Sequence, residues 1–281
     1  MDRSAVEFGW PVRAGKGFAM LWKSSATVGF AISAKDGALG TVSDMLFDDS
    51  SWMIRWLVVD TGGWLSGRKV LLPPSVLEHM DATARELSVT LTKKQIEDSP
   101  EIDTDQPVSR QAETNIYDHY GWTPYWGNGV FTDAYGFVGG PGALGVMPSK
   151  GLMEREAASA ALVRDYADPH LRSVGAVTGY HVHATDGEIG HVKAFLVDDK
   201  DWKIAYLIVD TRNWWPGKEV LISPLSVLSI EWREKLLSVS VDRQKVRGSP
   251  EYGETTTVDG PYGDRFEAYY HPERGPPGQQ L

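Results

Sequence analysis

The chain contains no cysteine. That excludes disulfides, thiolate nucleophiles and cysteine-based zinc sites. No stretch approaches the roughly 18 consecutive apolar residues that a membrane-spanning helix needs. Residues Met1 to Gly17 have no long apolar run and carry Asp2 and Glu7, so they do not read as a signal peptide. Positive charge is in the minority: 28 Lys and Arg stand against 38 Asp and Glu, for a formal charge of −10, with no basic run. Phosphate contact supplies most of a nucleic-acid binder's affinity, so DNA, RNA and anionic membrane surfaces are set aside as main partners. These absences predict a soluble cytoplasmic protein without membrane insertion. Its 281 residues suit one large domain or two of ordinary size, and 11 of them are Trp.

The most informative feature present is a duplication. Ala34 to Gly40 (AKDGALG) recurs as Ala184 to Gly190 (ATDGEIG), an offset of 150 from Asp36 to Asp186. The same offset relates Asp48-Asp49 to Asp198-Asp199, Trp52 to Trp202, Val59-Asp60-Thr61 to Val209-Asp210-Thr211, and Trp64 to Trp214. It also relates Leu87-Ser88-Val89 to Leu237-Ser238-Val239 and Ser99-Pro100-Glu101 to Ser249-Pro250-Glu251. One local slip is read, with Ser75-Val76-Leu77 aligned to Ser226-Val227-Leu228. The expected organisation is an N-terminal extension (1–20), a first unit (21–120), an aromatic and Gly-rich connector with a helix (121–169), a second unit (170–271) and a disordered tail (272–281). The aromatic stretch from Tyr117 to Trp126 is expected to pack on a unit or bridge the two. Gly139 to Gly142 is read as a break, and Met153 to Tyr166 as a helix.

Within each unit, Asp36-Gly37 and Asp186-Gly187 mark hairpins, since Gly accepts the positive φ of tight turns. Val42 to Phe47 and Val192 to Val197 read as strands, followed by the polar turns at Asp48-Asp49 and Asp198-Asp199. Ile54 to Val59 and Ile204 to Val209 are apolar on both faces, the pattern of a doubly covered strand. Further strands fit Lys69 to Leu72, Leu87 to Leu91 and their second-copy equivalents. Ser223-Pro224 reads as a capped helical turn, Thr92 with Gln95 as a capping box, and Asp242 as the cap of the matching helix. Short strands linked by Gly and Asp turns favour a small barrel or sandwich, and closure would remove exposed edges.

The string Asp-Gly-x-x-Gly, then Val, Asp-Asp and Trp-x-Ile-x-x-Leu-x-Val-Asp-Thr, present twice, resembles the PRC-barrel family. The resemblance runs over Leu21–Glu101 and Leu171–Glu251. Its relatives include the cytoplasmic domain of the photosynthetic reaction-centre H subunit and the C-terminal domain of the bacterial ribosome maturation factor. It implies a mainly β protein of two small PRC-type barrels in tandem, each with short trailing helices, used for docking onto larger assemblies. An electron-transfer accessory role follows only by analogy with the H subunit. In this string Asp36, Gly37, Gly40, Asp186, Gly187 and Gly190 are read as structural turn residues.

Each chemistry-bearing pattern also has a plainer reading. Asp60-Thr61-Gly62 spells the core of an aspartic-protease site, where two facing carboxylates share a proton, but the second copy reads Asp210-Thr211-Arg212, and a strand-ending turn is preferred for both. His181 and His183 share one strand face, with His191 nearby; they are weak metal candidates beside the reading as surface histidines. Asp48, Asp49, Asp198 and Asp199 lack EF-hand spacing and read as solvated turns. Trp52, Trp64, Trp202, Trp214 and Trp215 sit at loops, where aromatics either anchor interfaces or close barrel ends. The resulting expectation is a non-catalytic adaptor without a cofactor or metal, docking an unknown protein partner through these Trp loops or the groove between the units. Homodimerisation is left open. The alternatives are an Asp60/Asp210 hydrolase and a small-ligand or metal-binding protein.

Overall fold

The computed structural model describes residues 21–99, 110–121, 170–211, 218–253, 256 and 258–270. The expectations for 1–20, most of the connector, Trp214, Trp215 and the tail lie outside these residues. The chain divides into two compact units, Met1–Lys93 with His170–Leu281, and Lys94–Pro169. The second, in its described part, holds most of a short helix and the helix Arg110–Tyr120, with Ile116 and Tyr117 buried.

In chain order the elements are β1 (Leu21–Lys23), α1 (Ser24–Thr27), β2 (Ala31–Ala34), β3 (Gly37–Asp48), β4 (Ile54–Asp60), β5 (Lys69–Leu72), β6 (Leu77–Asp81), β7 (Glu86–Val89), α2 (Lys93–Glu97) and α3 (Arg110–Tyr120). Then come β8 (Leu171–Ser173), α4 (Val174–Val177), β9 (His181–Ala184), β10 (Gly187–Asp198), β11 (Lys203–Asp210), β12 (Glu219–Ile222), β13 (Val227–Glu231), β14 (Leu236–Val239), α5 (Arg243–Arg247) and α6 (Gly260–Tyr270). The protein is mainly β. The expected central strands are central: β4 is buried along most of its length between β3 and β5, and β11 likewise between β10 and β12.

The strands form two seven-stranded sheets, ordered β5-β4-β3-β2-β7-β6 and β12-β11-β10-β9-β14-β13, each with one further strand. Pairing is antiparallel except for the parallel contacts β2–β7 and β9–β14. The expectation of closed barrels is corrected here. Among the described residues no ladder joins β5 to β6 or β12 to β13, so each sheet keeps two edges. The connections there are 3-10 turns opening on Pro74 and Pro224. Proline has no N–H to offer a ladder, and the turn carries the chain away from the strand it leaves.

The further strand of each sheet comes from the other half. β8 pairs with the last residues of β3 (Leu46↔Ser173, Phe47↔Arg172, Asp48↔Leu171), and β1 pairs with the last residues of β10 (Leu21↔Asp198, Trp22↔Val197, Lys23↔Leu196). The reason is geometric. β2 has four residues and β3 has twelve, so β2 covers only the first part of that edge of β3. The remaining N–H and C=O groups need partners, and leaving them unpaired and buried is costly. The exchanged segments also satisfy the bulges. Where β10 shifts register, the Phe195 N–H donates to Ser24 Oγ at 3.1 Å. At the matching shift in β3, the Met45 N–H donates to Asp44 Oδ1 at 2.7 Å, while Asp44 also accepts from the Ser173 hydroxyl and the Gly175 N–H.

A reciprocal pair of bonds links the hairpins of the two halves. The Ile54 N–H donates to the Trp202 carbonyl at 2.7 Å, and the Ile204 N–H to the Trp52 carbonyl at 2.8 Å, as a two-fold relation requires. Phe47 and Phe195 meet across the halves, ring centroids 5.6 Å apart. On the second sheet, α6 lays Tyr262, Phe266 and Tyr270 against Ala194, Leu196, Ile208 and Leu221, and Leu21 of β1 belongs to the same core. Burying each such aliphatic or Phe side chain contributes roughly 1.5–3 kcal/mol.

The repeat register is uninterrupted. Leu77 faces Val89 as Val227 faces Val239, and His79 faces Ser88 as Ser229 faces Ser238. The one-position slip read from the sequence is therefore a coincidence of letters. Leu225, Leu228 and Trp232 occupy the places of Ser75, Glu78 and Ala82.

Gly40 shows the tightest packing of the hairpins. A Cβ there would stand 2.0 Å from the Asp60 carbonyl oxygen, and the same holds for Gly190 against Asp210. Backbone cannot yield as a flexible side chain would. Gly40→Ala should destabilise the protein by about 3 kcal/mol, read as a drop in the urea midpoint; an unchanged midpoint would show that the close approach does not exist.

Candidate functional site

Gly37 and Gly187 adopt φ of +135° and +133°, a region that L residues rarely enter. Asp36 Oδ1 accepts the Lys93 N–H at 2.8 Å, and Asp186 Oδ1 the Arg243 N–H at 2.9 Å. Each aspartate thus ties its hairpin to the start of the following helix. With Gly40 and Gly190 permitting the contact of β3 with β4 and of β10 with β11, these residues build the scaffold.

The acidic turns are more than solvated loops. Asp48 is buried and accepts from the Ser50 N–H, the Ser50 hydroxyl and the Ser51 N–H, with Arg55 at 3.5 Å. Asp49 reaches the other half: its carboxylate takes His170 Nδ1 at 2.8 Å and Arg172 Nη2 at 2.9 Å, while its N–H donates to the His170 carbonyl. Its counterpart Asp199 accepts the Trp22 Nε1–H at 3.1 Å. Hairpin tip and donated strand are therefore fastened twice, by different donors.

Trp52 and Trp202 follow those turns in left-handed backbone, φ 60° and 52°. Trp52 is 7% exposed and stacks on Phe47 at 5.4 Å. Both carbonyls accept the cross-half bonds described above, so these two tryptophans serve the junction inside the molecule. Trp64 is half-buried; its Nε1–H donates to the Leu39 carbonyl and Lys93 Nζ lies 4.7 Å from its ring centroid. Trp214 and Trp215 are outside the described residues.

Asp60 and Asp210 are not brought together. β4 and β11 run apart from the antiparallel bridge Met53↔Lys203, and the aspartates stand at their far ends. Straight strands of that length separate them by on the order of 40 Å. Asp60 Oδ1 accepts the Gly62 N–H, and Asp210 is 1% exposed beside His191. A shared-proton dyad needs contact, so the hydrolase geometry is absent.

His181 and His183 do share a face, opposite buried Val182 and Ala184. His181 Nδ1 meets Glu188 Oε1 at 2.7 Å, and His191 Nε2 lies 3.9 Å from Asp210 Oδ2. Among the described residues no three His, Asp or Glu side chains form a metal cage. No helix of these residues is long and apolar enough to cross a membrane.

Sequence reasoning missed a surface at the β13 edge. Leu225, Leu228 and Trp232 are 57%, 68% and 62% exposed. Single exposed apolar residues are ordinary; three within eight residues at one sheet edge, where the first half has Ser75, Glu78 and Ala82, are not. Leu228 sits at a register shift of β13. The signal was the repeat register itself, which the apparent slip concealed.

Comparison with known proteins gives two findings. The PRC-barrel domain family matches residues 31–96. An uncharacterized protein of Deinococcus radiodurans is 36% identical over 73 residues, which spans about a quarter (26%) of this chain and of that protein.

The matched segment includes Asp48. Burial alone pushes its carboxyl up, but the Ser50 hydroxyl, the Ser51 and Ser50 N–H groups and Arg55 outweigh burial and hold it below its ordinary 3.8. A carboxyl depressed in the folded state stabilises above its unfolded pKa and loses that contribution as pH falls through the folded one. Asp48→Asn should lower the urea midpoint at pH 7 and flatten its decline between about pH 4 and pH 2; an unchanged slope would remove the role assigned to Asp48.

Proposed function

We propose that the chain is a non-catalytic docking module that binds a protein partner at the β13 edge of its second half. The exposed trio Leu225, Leu228 and Trp232 carries this reading. The first half shares the strand register but presents Ser75, Glu78 and Ala82 there, so the two copies differ in surface where they agree in fold. Exposed aromatic and aliphatic anchors at a sheet edge favour protein contact. The PRC-barrel match over residues 31–96 supports a module of this kind, and the second half, with the same element order, is read as a second such domain. The tryptophans at the hairpins then belong to the scaffold, since Trp52 and Trp202 are occupied at the junction.

The trio is the point at which to test this. Leu228→Glu with Trp232→Ala restores the first half's residues. Surface changes of this kind shift stability by only about 0.5 kcal/mol. Partners captured by the wild-type chain from its native cells should be lost in the double variant, with the melting temperature unchanged. Equal capture by both would refute docking at this edge.

A further inference from the structure

We propose that the second half carries a two-histidine transition-metal site formed by His181 and His191. The inference is independent of the docking surface. His181 on β9 lies directly opposite His191 on β10. The Val192 N–H donates to the Tyr180 carbonyl, one residue to either side, which makes the histidines a non-hydrogen-bonded pair. Pairs of that type bring Cα atoms to about 4.5 Å and their side chains closest. Both rings stand on the face opposite buried Val182 and Val192.

Each ring also has a carboxylate near one of its nitrogens. Glu188 holds Nδ1 of His181, and Asp210 flanks Nε2 of His191. The other nitrogen of each ring, Nε2 of His181 and Nδ1 of His191, is left for a ligand. A carboxylate behind an imidazole fixes its tautomer and raises its basicity toward a metal. Asp210, almost fully buried and directly opposite His191 across β10 and β11, is a carboxylate neighbour at 3.9 Å. The first half offers a built-in contrast: Ala31, Ala38 and Thr41 stand where the second has His181, Glu188 and His191, while Asp60 matches Asp210. Three neighbouring positions of these two strands differ together. With no third protein ligand in a cage, water completes the coordination. Two imidazoles select late first-row ions, with Cu²⁺ held most tightly.

The test is titration of the untagged full-length chain with Cu²⁺ and with Zn²⁺, by calorimetry and, for copper, by electron paramagnetic resonance. One Cu²⁺ per chain with nitrogen hyperfine coupling is expected at pH 7.5. His181→Ala and His191→Ala should each weaken it at least about tenfold, and Glu188→Gln should weaken it by about tenfold. His183→Ala, on the same face but paired with Glu188 across the strands, should leave it intact. Unchanged affinity in His181→Ala and His191→Ala, an equal loss in His183→Ala, or no binding at micromolar Cu²⁺ would overturn the assignment.

Discussion

The structure depends on one unmet need: the far end of β3, and equally of β10, has an edge that its own half does not cover. β2 begins too late to pair with Leu46 to Asp48, and β9 too late to pair with Leu196 to Asp198. A backbone polar group left buried without a partner costs about 1–3 kcal/mol. Each half resolves this with three residues of the other, β8 on β3 and β1 on β10. The remaining junction contacts follow from that exchange. The donated strands bring Ser24, Ser173 and Gly175 to the bulges, Arg172 and His170 to Asp49, and Trp22 to Asp199. The hairpin tips then meet, and the left-handed Trp52 and Trp202 turn their carbonyls toward Ile204 and Ile54.

This accounts for why the repeated motif is so uneven in what it specifies. Asp36, Gly37 and Gly40 shape a hairpin and its approach to β4, and their copies do the same beside β11. The Asp-Asp turn works in two directions, with Asp48 folding its own hairpin and Asp49 fastening a strand from elsewhere. Residues under such constraint leave little freedom for chemistry. What differs between the halves is outside that frame: the β13 edge, and the face bearing His181, Glu188 and His191.

Much of this was legible in the sequence. The offset from Asp36 to Asp186 located the hairpins and the doubly covered strands, because turn residues and two-faced apolar runs have local causes. The exchange was not legible. Leu21–Lys23 satisfies the same pairing rules on Leu46–Asp48 as on Leu196–Asp198, so no pattern of residues distinguishes a strand kept from a strand given. Openness of the sheets was hidden for a similar reason, since closure depends on where a Pro-led turn sends the chain. Trp52 and Trp202 do sit at turns, but whether a turn faces solvent or the other half is a tertiary fact. The apolar edge was obscured because Ser226-Val227-Leu228 mimics Ser75-Val76-Leu77 one position out of register.

If the halves are completed by each other, they cannot open separately. Amide hydrogen exchange under graded denaturant tests this most directly, comparing Leu57 in β4 with Leu207 in β11, both fully buried. The account predicts that the two amides, and those of the β1 and β8 ladders, merge into one opening with one free energy and one denaturant dependence. Distinct opening free energies for Leu57 and Leu207, persisting to the global transition, would show two independently stable halves and contradict it.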